Sequence, residues 1–395
     1  VTVAEPVRAA HPSRWQEWGL APGSAGESAD PAYLDLCGDP AEQGRQHGRA
    51  ARAAIAANIA AVRRDIGELC TDEASVSRYR QCLTANAGFV RRADPGQWAE
   101  LCGIAEGADA PLDDILALNL PAHMVLRWVP QECSQLLASG DRAAAGHTLL
   151  AKTRDMAGHF AEHVVLRRRY PDGRRMTEVT VAGSVLWPGS GINDSGLAMS
   201  TSGVWSERTG VDWRASGTGW ILINSHDLLR RARTAGEFAD LLRGQPRLSG
   251  LNIALADPGE RLAVEATASE VTVRDRADHH VLTNHYECPA TAPLAPGPDQ
   301  NASSYHRAAT AGRALGTSHG LTPGALAELL ADHTGYPQDS LCRHQVEGAG
   351  SETTYASIAV LPEGAFYVTL GNPCASDRTV FTDPPAAVET GGAAG

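Results

Sequence analysis

Between Glu132 and Met156 the chain reads ECSQLLASGDRAAAGHTLLAKTRDM, and this stretch constrains the fold more than any other. Leu136, Leu137 and Ala138 form one short apolar run and Thr148 to Ala151 a second, with Ser139, Gly140 and Asp141 breaking the chain between them. Apolar runs this short, bounded by turn formers, predict a β-hairpin or meander. A hairpin would return Asp155 to the neighbourhood of Cys133, so a thiol and a carboxylate twenty-two residues apart could meet. Taken alone, the pair fits a buried cysteine beside an ordinary strand better than it fits a nucleophile.

The character of the chain changes at this hairpin. Before it, Asp39-Pro40 supplies a cap and a first-turn proline, and the Ala-rich run carrying Ile55, Ile59, Val62 and Ile66 predicts one long amphipathic helix. The stretch to Arg92 and that from Trp98 to Leu120 continue the helical pattern, with a break at Ala108 to Pro111. His47 falls on the first turns of the first helix and reads as a structural or solvent-facing side chain. After Cys133, strands are expected at Val164–Tyr170, Met176–Val185, Leu197–Val204, Leu251–Ala256, Leu262–Ala266 and Val271–Arg274, interrupted by a helix from His226 to Arg243. A Pro- and Ala-rich loop at Pro289–Asn301, helices at Ser304–Leu315 and Pro323–Ala331, and a hairpin of Thr354–Leu361 with Ala365–Gly371 complete the pattern. Residues 1–30 read as a loose arm and the tail from Pro384 as disordered. The expectation is an α+β fold of layered sheets with a mainly helical N-terminal region.

Composition narrows the function. At 395 residues and 43% hydrophobic, the chain can bury a large core. A net charge of −12 argues against nucleic acid and against an anionic membrane surface as partners. No stretch approaches the length of a membrane span, and the opening lacks a charged segment followed by an apolar one, so a cytoplasmic location is expected. None of the eight cysteines forms a CxxC pair, and their spacing suggests neither a zinc site nor a disulfide framework. Neither His279-His280 nor the trio His147, His159 and His163 has a carboxylate or cysteine at ligand spacing, so neither a metal nor a cofactor is expected.

Several stretches, taken in order, resemble one family. Gly38-Asp39-Pro40 with Gly44 to Gly48 looks like an early Gly-x-x-x-x-x-Gly-x-x-His-Gly segment, and LCGIAEGADAPLDDILALN looks like a Glu-x-x-Gly-Ile-Ala-x-Gly helix pair. Cys133-Ser134 matches a processing cysteine followed by a small hydroxyl residue, and Asp155 an aspartate ending the second strand. GINDSGLAMS, LTNHY, the run from Asn301 to Arg307 and Ser340-Leu341-Cys342-Arg343 follow in the same order. Over about residues 35–375 the chain thus resembles the acyl-coenzyme A:6-aminopenicillanic acid acyltransferase (isopenicillin N acyltransferase-like) family of N-terminal nucleophile (Ntn) hydrolases, peptidase type C45.

The resemblance implies a four-layer αββα sandwich and a precursor that cuts its own backbone between Glu132 and Cys133. It divides the chain into a helical segment, residues 1–132, and a catalytic region, residues 133–395, which stay together as a heterodimer. Cys133 becomes nucleophile and, through its freed α-amine, base; an amine with a reference pKa of about 7.7–8.0 is well matched to a thiol of about 8.5. By position, Asp155 would hold that amine and Asn284 would donate to the oxyanion, with backbone N–H groups near Met199–Gly203 as further donors. Arg343 would place positive charge beside thiolate or substrate; Lys152, where related enzymes carry arginine, reads as an ordinary structural residue ahead of a local counter-charge. Asn193, in a Gly-flanked turn, reads as structural.

Many relatives carry glycine before the nucleophile, where the missing side chain eases distortion of the backbone; here the residue is Glu132. The implied reaction is cleavage or exchange of a linear amide, such as an N-acyl amino acid or peptide-like metabolite, through a thioester on Cys133. The partners are then a small amide or acyl thioester and the chain's own N-terminal fragment. A catalytically silent acyl-ligand-binding protein that keeps the uncut fold is the competing reading. A papain-like peptidase lacks its cysteine-flanking signature.

Overall fold

The computed structural model describes residues 32–122, 132–157, 162–204, 213–347, 350–376 and 379–382. The expected arm at 1–30 and tail from Pro384 lie outside the described residues, as does His159.

Strand β1 (Tyr33–Cys37) runs into α1 (Pro40–Ala50), where the Asp39 carboxylate accepts from the Glu42 N–H at 2.9 Å and Pro40 occupies the first turn. The single long helix expected here is two helices. Ala51 leaves helical geometry (φ −115°, ψ 29°) before α2 (Arg52–Leu69) begins. The break separates two contacts. Helix α1 lies directly against α4 (Pro95–Ala108), whereas α2 turns Ile55 and Ile59 into the core beneath it. The α1–α4 contact explains the glycines of the early motif. A Cβ on Gly44 would stand 2.2 Å from the Glu100 carbonyl oxygen, and one on Gly103 2.3 Å from that of Ala41, so only hydrogen fits at either position. Helix α3 (Glu73–Ala93) precedes α4, and Asp109 in left-handed geometry (φ 56°) turns the chain into α5 (Leu112–Asn119).

The hairpin forms as expected: β2 (Glu132–Ala138) and β3 (Thr148–Ala157) pair antiparallel. Strands β4 (His163–Arg169), β5 (Arg175–Val181), β6 (Ser190–Asn193) and β7 (Ala198–Val204) follow. The helix expected at 226–243 is again two, α6 (Ser225–Arg231) and α7 (Ala235–Gly244), because Thr234 caps a new start by accepting from the Glu237 N–H. Strands β8 (Gly250–Ala256), β9 (Arg261–Ala266), β10 (Val271–Val273) and β11 (His279–Leu282) lead to helices α8 (Ala302–Thr317) and α9 (Pro323–Leu330). The long hairpin of β12 (Ser351–Leu361) and β13 (Ala365–Leu370) and the short β14 (Thr379–Thr382) close the described chain.

The strands form two sheets, ordered β1-β4-β5-β6-β7-β8-β9-β10 and β11-β2-β3-β12-β13-β14. Their facing sides share a core of Leu137, Leu150, Val179, Ile192, Ala254, Tyr355 and Phe366. The outer side of the larger sheet is covered by α1–α5 at one end and by α6 and α7 at the other. Helices α8 and α9 cover the outer side of the smaller sheet through Ala311, Leu315, Leu326 and Leu330. The result is the expected four-layer αββα sandwich. The helical N-terminal segment is tied into it by β1, which pairs parallel with β4. Among the described residues no helix is long and apolar enough to cross a membrane.

Candidate active site

Strand alternation decides what faces Cys133. Gln135, two residues on, points between the sheets: its amide donates to Ser202 Oγ at 2.6 Å and its carbonyl accepts from Ser200 Oγ at 2.7 Å, both on β7. With a period of two, Cys133 shares that inner face, whereas Glu132 and Ser134 face the helices outside. The register pairs Cys133 with Arg154 and Glu132 with Asp155. Asp155 therefore returns to the same end of the hairpin but on the other face from the thiol. Its cross-strand neighbour is Glu132, not Cys133.

The inner face is cationic. Lys152 is wholly buried, and its ammonium donates to the Thr201 carbonyl. Burial lowers the Lys152 pKa, while Cys133 and Asp155 oppose that shift. The Arg154 guanidinium lies 4.7 Å over the Trp187 ring. Among the described residues, neither Lys152 nor Arg154 is ion-paired to a carboxylate.

Side chains from several elements hold Glu132 and Cys133. Asn284, in the loop after β11, accepts from the Cys133 N–H through Oδ1 at 3.0 Å and donates through Nδ2 to the Gly203 carbonyl at 2.9 Å. Arg307 on α8 donates to the Cys133 carbonyl at 2.6 Å, to Ser134 Oγ at 2.9 Å and to Asn284 Oδ1 at 2.9 Å. The Glu132 carboxylate is ion-paired to Arg343, lies 3.6 Å from Arg307 and accepts from Ser303 Oγ at 3.1 Å. Asp155 accepts from Thr353 Oγ1 at 2.7 Å through Oδ1, while Oδ2 is buried with no hydrogen-bond partner. Burial raises the Asp155 pKa to about 6, against the opposing pull of Arg307, Thr353 and Lys152.

The structure thus gathers Cys133, Glu132, Asp155, Asn284 and Arg343 at one end of the sandwich. Arg307 is the residue that sequence reasoning undervalued, since it stood only as the end of a Ser-Ser-x-x-Arg run. Ser303, Ser304 and Arg307 are spaced to share one helical face, and Ser304 Oγ also accepts from the Asn284 N–H at 2.8 Å. Lys152 is likewise more than a local counter-charge, being wholly buried on the inner face that Cys133 shares. His47 and Asn193 are structural. His47 accepts from the Gly183 N–H at 3.0 Å, with burial pushing its pKa down to about 3, and Asn193 ties the turn after β6 to the end of α6. His147 contacts Glu363 at 2.7 Å, and His163 packs on Tyr355.

No curated protein matches the chain. Among solved structures, a mutant of the conjugated bile acid hydrolase from Clostridium perfringens is similar at 15% identity and a TM-score of 0.35, over 64% of this chain and 98% of that one. The penicillin V acylase from Agrobacterium tumefaciens is similar at 13% identity and a TM-score of 0.34, over 60% and 82% of the two chains. Both likenesses are distant. The family model for acyl-coenzyme A:6-aminopenicillanic acid acyl-transferase matches residues 142–374, well over half of the chain. That span contains Lys152, Asp155, Asn284, Arg307 and Arg343, and it begins beyond β2, so Glu132 and Cys133 precede it. On this match the chain belongs to the acyl-coenzyme A:6-aminopenicillanic acid acyl-transferase family.

Proposed function

We propose that this chain is a self-processing Ntn amidohydrolase or N-acyltransferase acting on a linear amide through an acyl thioester on Cys133. The observation that carries the reading is the convergence of Asn284, Arg307 and Arg343 on the two residues of one peptide bond, with a buried thiol beside it. In the first step Cys133 Sγ adds to the Glu132 carbonyl carbon. The C–N bond breaks, the nitrogen takes the thiol proton, and a thioester remains. Water then frees the Glu132 carboxylate and restores the thiol.

Cleavage changes what the site offers. The Cys133 nitrogen becomes an amine whose acceptor, Asn284 Oδ1, is already in place, and the unpartnered Asp155 Oδ2 supplies a second acceptor nearby. That amine takes the thiol proton when Sγ attacks a substrate amide, then delivers it to the leaving amine. The Asn284 N–H not given to Gly203 is the donor assigned to the oxyanion. Withdrawal of the freed Glu132 end from the site, with its segment still held through β1, would leave Arg343 and Arg307 able to pair with an anionic substrate group, which favours N-acyl amino acids and peptide-like metabolites. The segment 1–132 stays bound because β1 is a strand of the larger sheet.

Water or an amine can resolve the thioester, so hydrolysis and transfer share the acyl-enzyme. The test supplies an activated acyl thioester and follows the mass of the chain carrying Cys133, with and without a small amine. An acyl adduct absent from Cys133→Ala, and amide product rising with amine, is the expected result. Free acid alone across several amines would reduce the activity to hydrolysis. Acyl ligand bound without any adduct would make the protein a silent binder.

A further inference from the structure

A second cluster of reactive side chains shares no residue with the Cys133 site. His333 follows α9, Cys342 and His344 precede β12, and Cys374 follows β13. One ligand atom from each lies within 4.8 Å of the other three. His333 Nε2 and His344 Nε2 are 3.0 Å apart, and His344 Nε2 is 3.5 Å from Cys342 Sγ and 3.4 Å from Cys374 Sγ. Hydrogen bonding cannot account for this arrangement. A neutral imidazole nitrogen either donates one proton or accepts at one lone pair, yet His344 Nε2 has three heteroatoms around it. A tetrahedral metal does account for it. Bonds of about 2.0–2.1 Å to nitrogen and about 2.3 Å to sulfur place the ligands about 3.3–3.8 Å from one another.

We propose that His333, Cys342, His344 and Cys374 bind one zinc ion. Two thiolates and two imidazoles in a tetrahedron select zinc among the common divalent metals, and four protein ligands leave no open position, so the site is structural. The surroundings fit. Asn372 Nδ2 lies 3.9 Å from Cys342 Sγ and donates to the Arg343 carbonyl at 2.7 Å, an outer partner of the kind that orients a ligand. Tyr336, 59% exposed, sets its ring 5.7 Å from that of His344 and 6.0 Å from that of His333, covering the cluster. The ligands are nine, two and thirty residues apart in sequence, so the fold assembles the set and no spacing motif announces it. Arg343 stands between two ligands. A bound ion would therefore pin the backbone that carries the Arg343 guanidinium to Glu132; this last link rests on the proposed function, whereas metal binding does not.

The full chain, without a histidine tag and purified under reducing conditions from zinc-supplemented medium, is analysed by elemental mass spectrometry. About one zinc per chain is expected, falling below about a tenth in the Cys342→Ser, Cys374→Ser double variant. If that variant fails to fold, His333→Ala at an exposed position decides instead: it should weaken zinc binding at least about tenfold in competition with a chelating dye. Cobalt-loaded wild type should show the strong visible bands of tetrahedral thiolate coordination, lost in the variants. A wild type that neither carries zinc nor competes for it overturns the site. So does a metal content unmoved by the substitutions, or a Cys342–Cys374 disulfide in protein never exposed to oxidant. Unchanged cleavage at Glu132–Cys133 after zinc removal, with binding confirmed, would overturn only the link to Arg343.

Discussion

Two of the buried ionic clusters among the described residues are built differently. Under α1 and α4, Arg168 donates to Glu178 and to Glu100, each at 2.6 Å, and Glu178 also meets His226 at 2.9 Å. One guanidinium stands between two carboxylates. Burial alone would raise the Glu178 pKa, but His226 and Arg168 hold it down at about 2. At the Cys133 end the balance is reversed. Lys152, Arg154, Arg307 and Arg343 are all buried, against the two carboxylates of Asp155 and Glu132. There the buried Asp155 is raised to about 6, and one of its oxygens has no partner. The first leaves one donor of its single guanidinium, Arg168 Nη2, without a partner; the second leaves a carboxylate oxygen idle amid surplus cations, the arrangement expected where further charge is to be bound.

Substitutions that treat the two clusters alike should give opposite results. The largest effect is on chemistry: Cys133→Ala should abolish cleavage and lower turnover by at least about 10⁴-fold while leaving the melting transition in place, read by mass and calorimetry. Retained turnover would remove Cys133 from the site. In the first cluster, Arg168→Met strands two buried carboxylates and should destabilise by about 3–5 kcal/mol in denaturant titrations, without altering the cleavage site in molecules that fold. A loss of cleavage with stability intact would erase the distinction between the clusters.

Asn284→Ala should keep the fold and lose roughly 10²–10³-fold in turnover, the scale of one oxyanion donor. Collapse of thermal stability would instead assign Asn284 to holding the sheets together through Gly203 and Cys133. The smallest effect has a sign that separates the clusters. Because the Asp155 pKa is raised above its ordinary value of 3.8, the folded chain binds the extra proton between pH 3.8 and about 6. Stability therefore falls as pH rises through that window and stays reduced above it. In the uncut Cys133→Ala background, Asp155→Asn should raise stability at pH 7.5 by about 1–3 kcal/mol, a gain that fades below about pH 4. A loss of stability at pH 7.5 would show that the ionised carboxylate is already paired before cleavage.

Much of this was legible in the residues alone. Gly140 and Asp141 announce the hairpin turn, Asp39-Pro40 announces α1, and the change from helical to alternating patterning locates the sheets. The face on which a side chain lies was not legible, because it depends on register, which only the pairing partner sets. That is why Asp155 could be placed near Cys133 but not assigned to the opposite face. Arg307 and Lys152 were undervalued for a related reason: a buried cation differs from a surface one only in its neighbours. Short strands such as β6 and β11, four residues each, carry too little pattern to detect. The breaks at Ala51 and Thr234 follow from packing and capping that a continuous apolar period conceals.

The central claim is that the surplus positive charge around Cys133 serves a bond that is cut and a nucleophile that is thereby released. Intact mass of the active protein, with N-terminal sequencing of each component, tests it most directly. The account predicts two associated chains, residues 1–132 and 133–395, the second beginning Cys-Ser-Gln, with Cys133→Ala remaining whole and Cys133→Ser cutting slowly. A single uncut chain in a fully active preparation would contradict it.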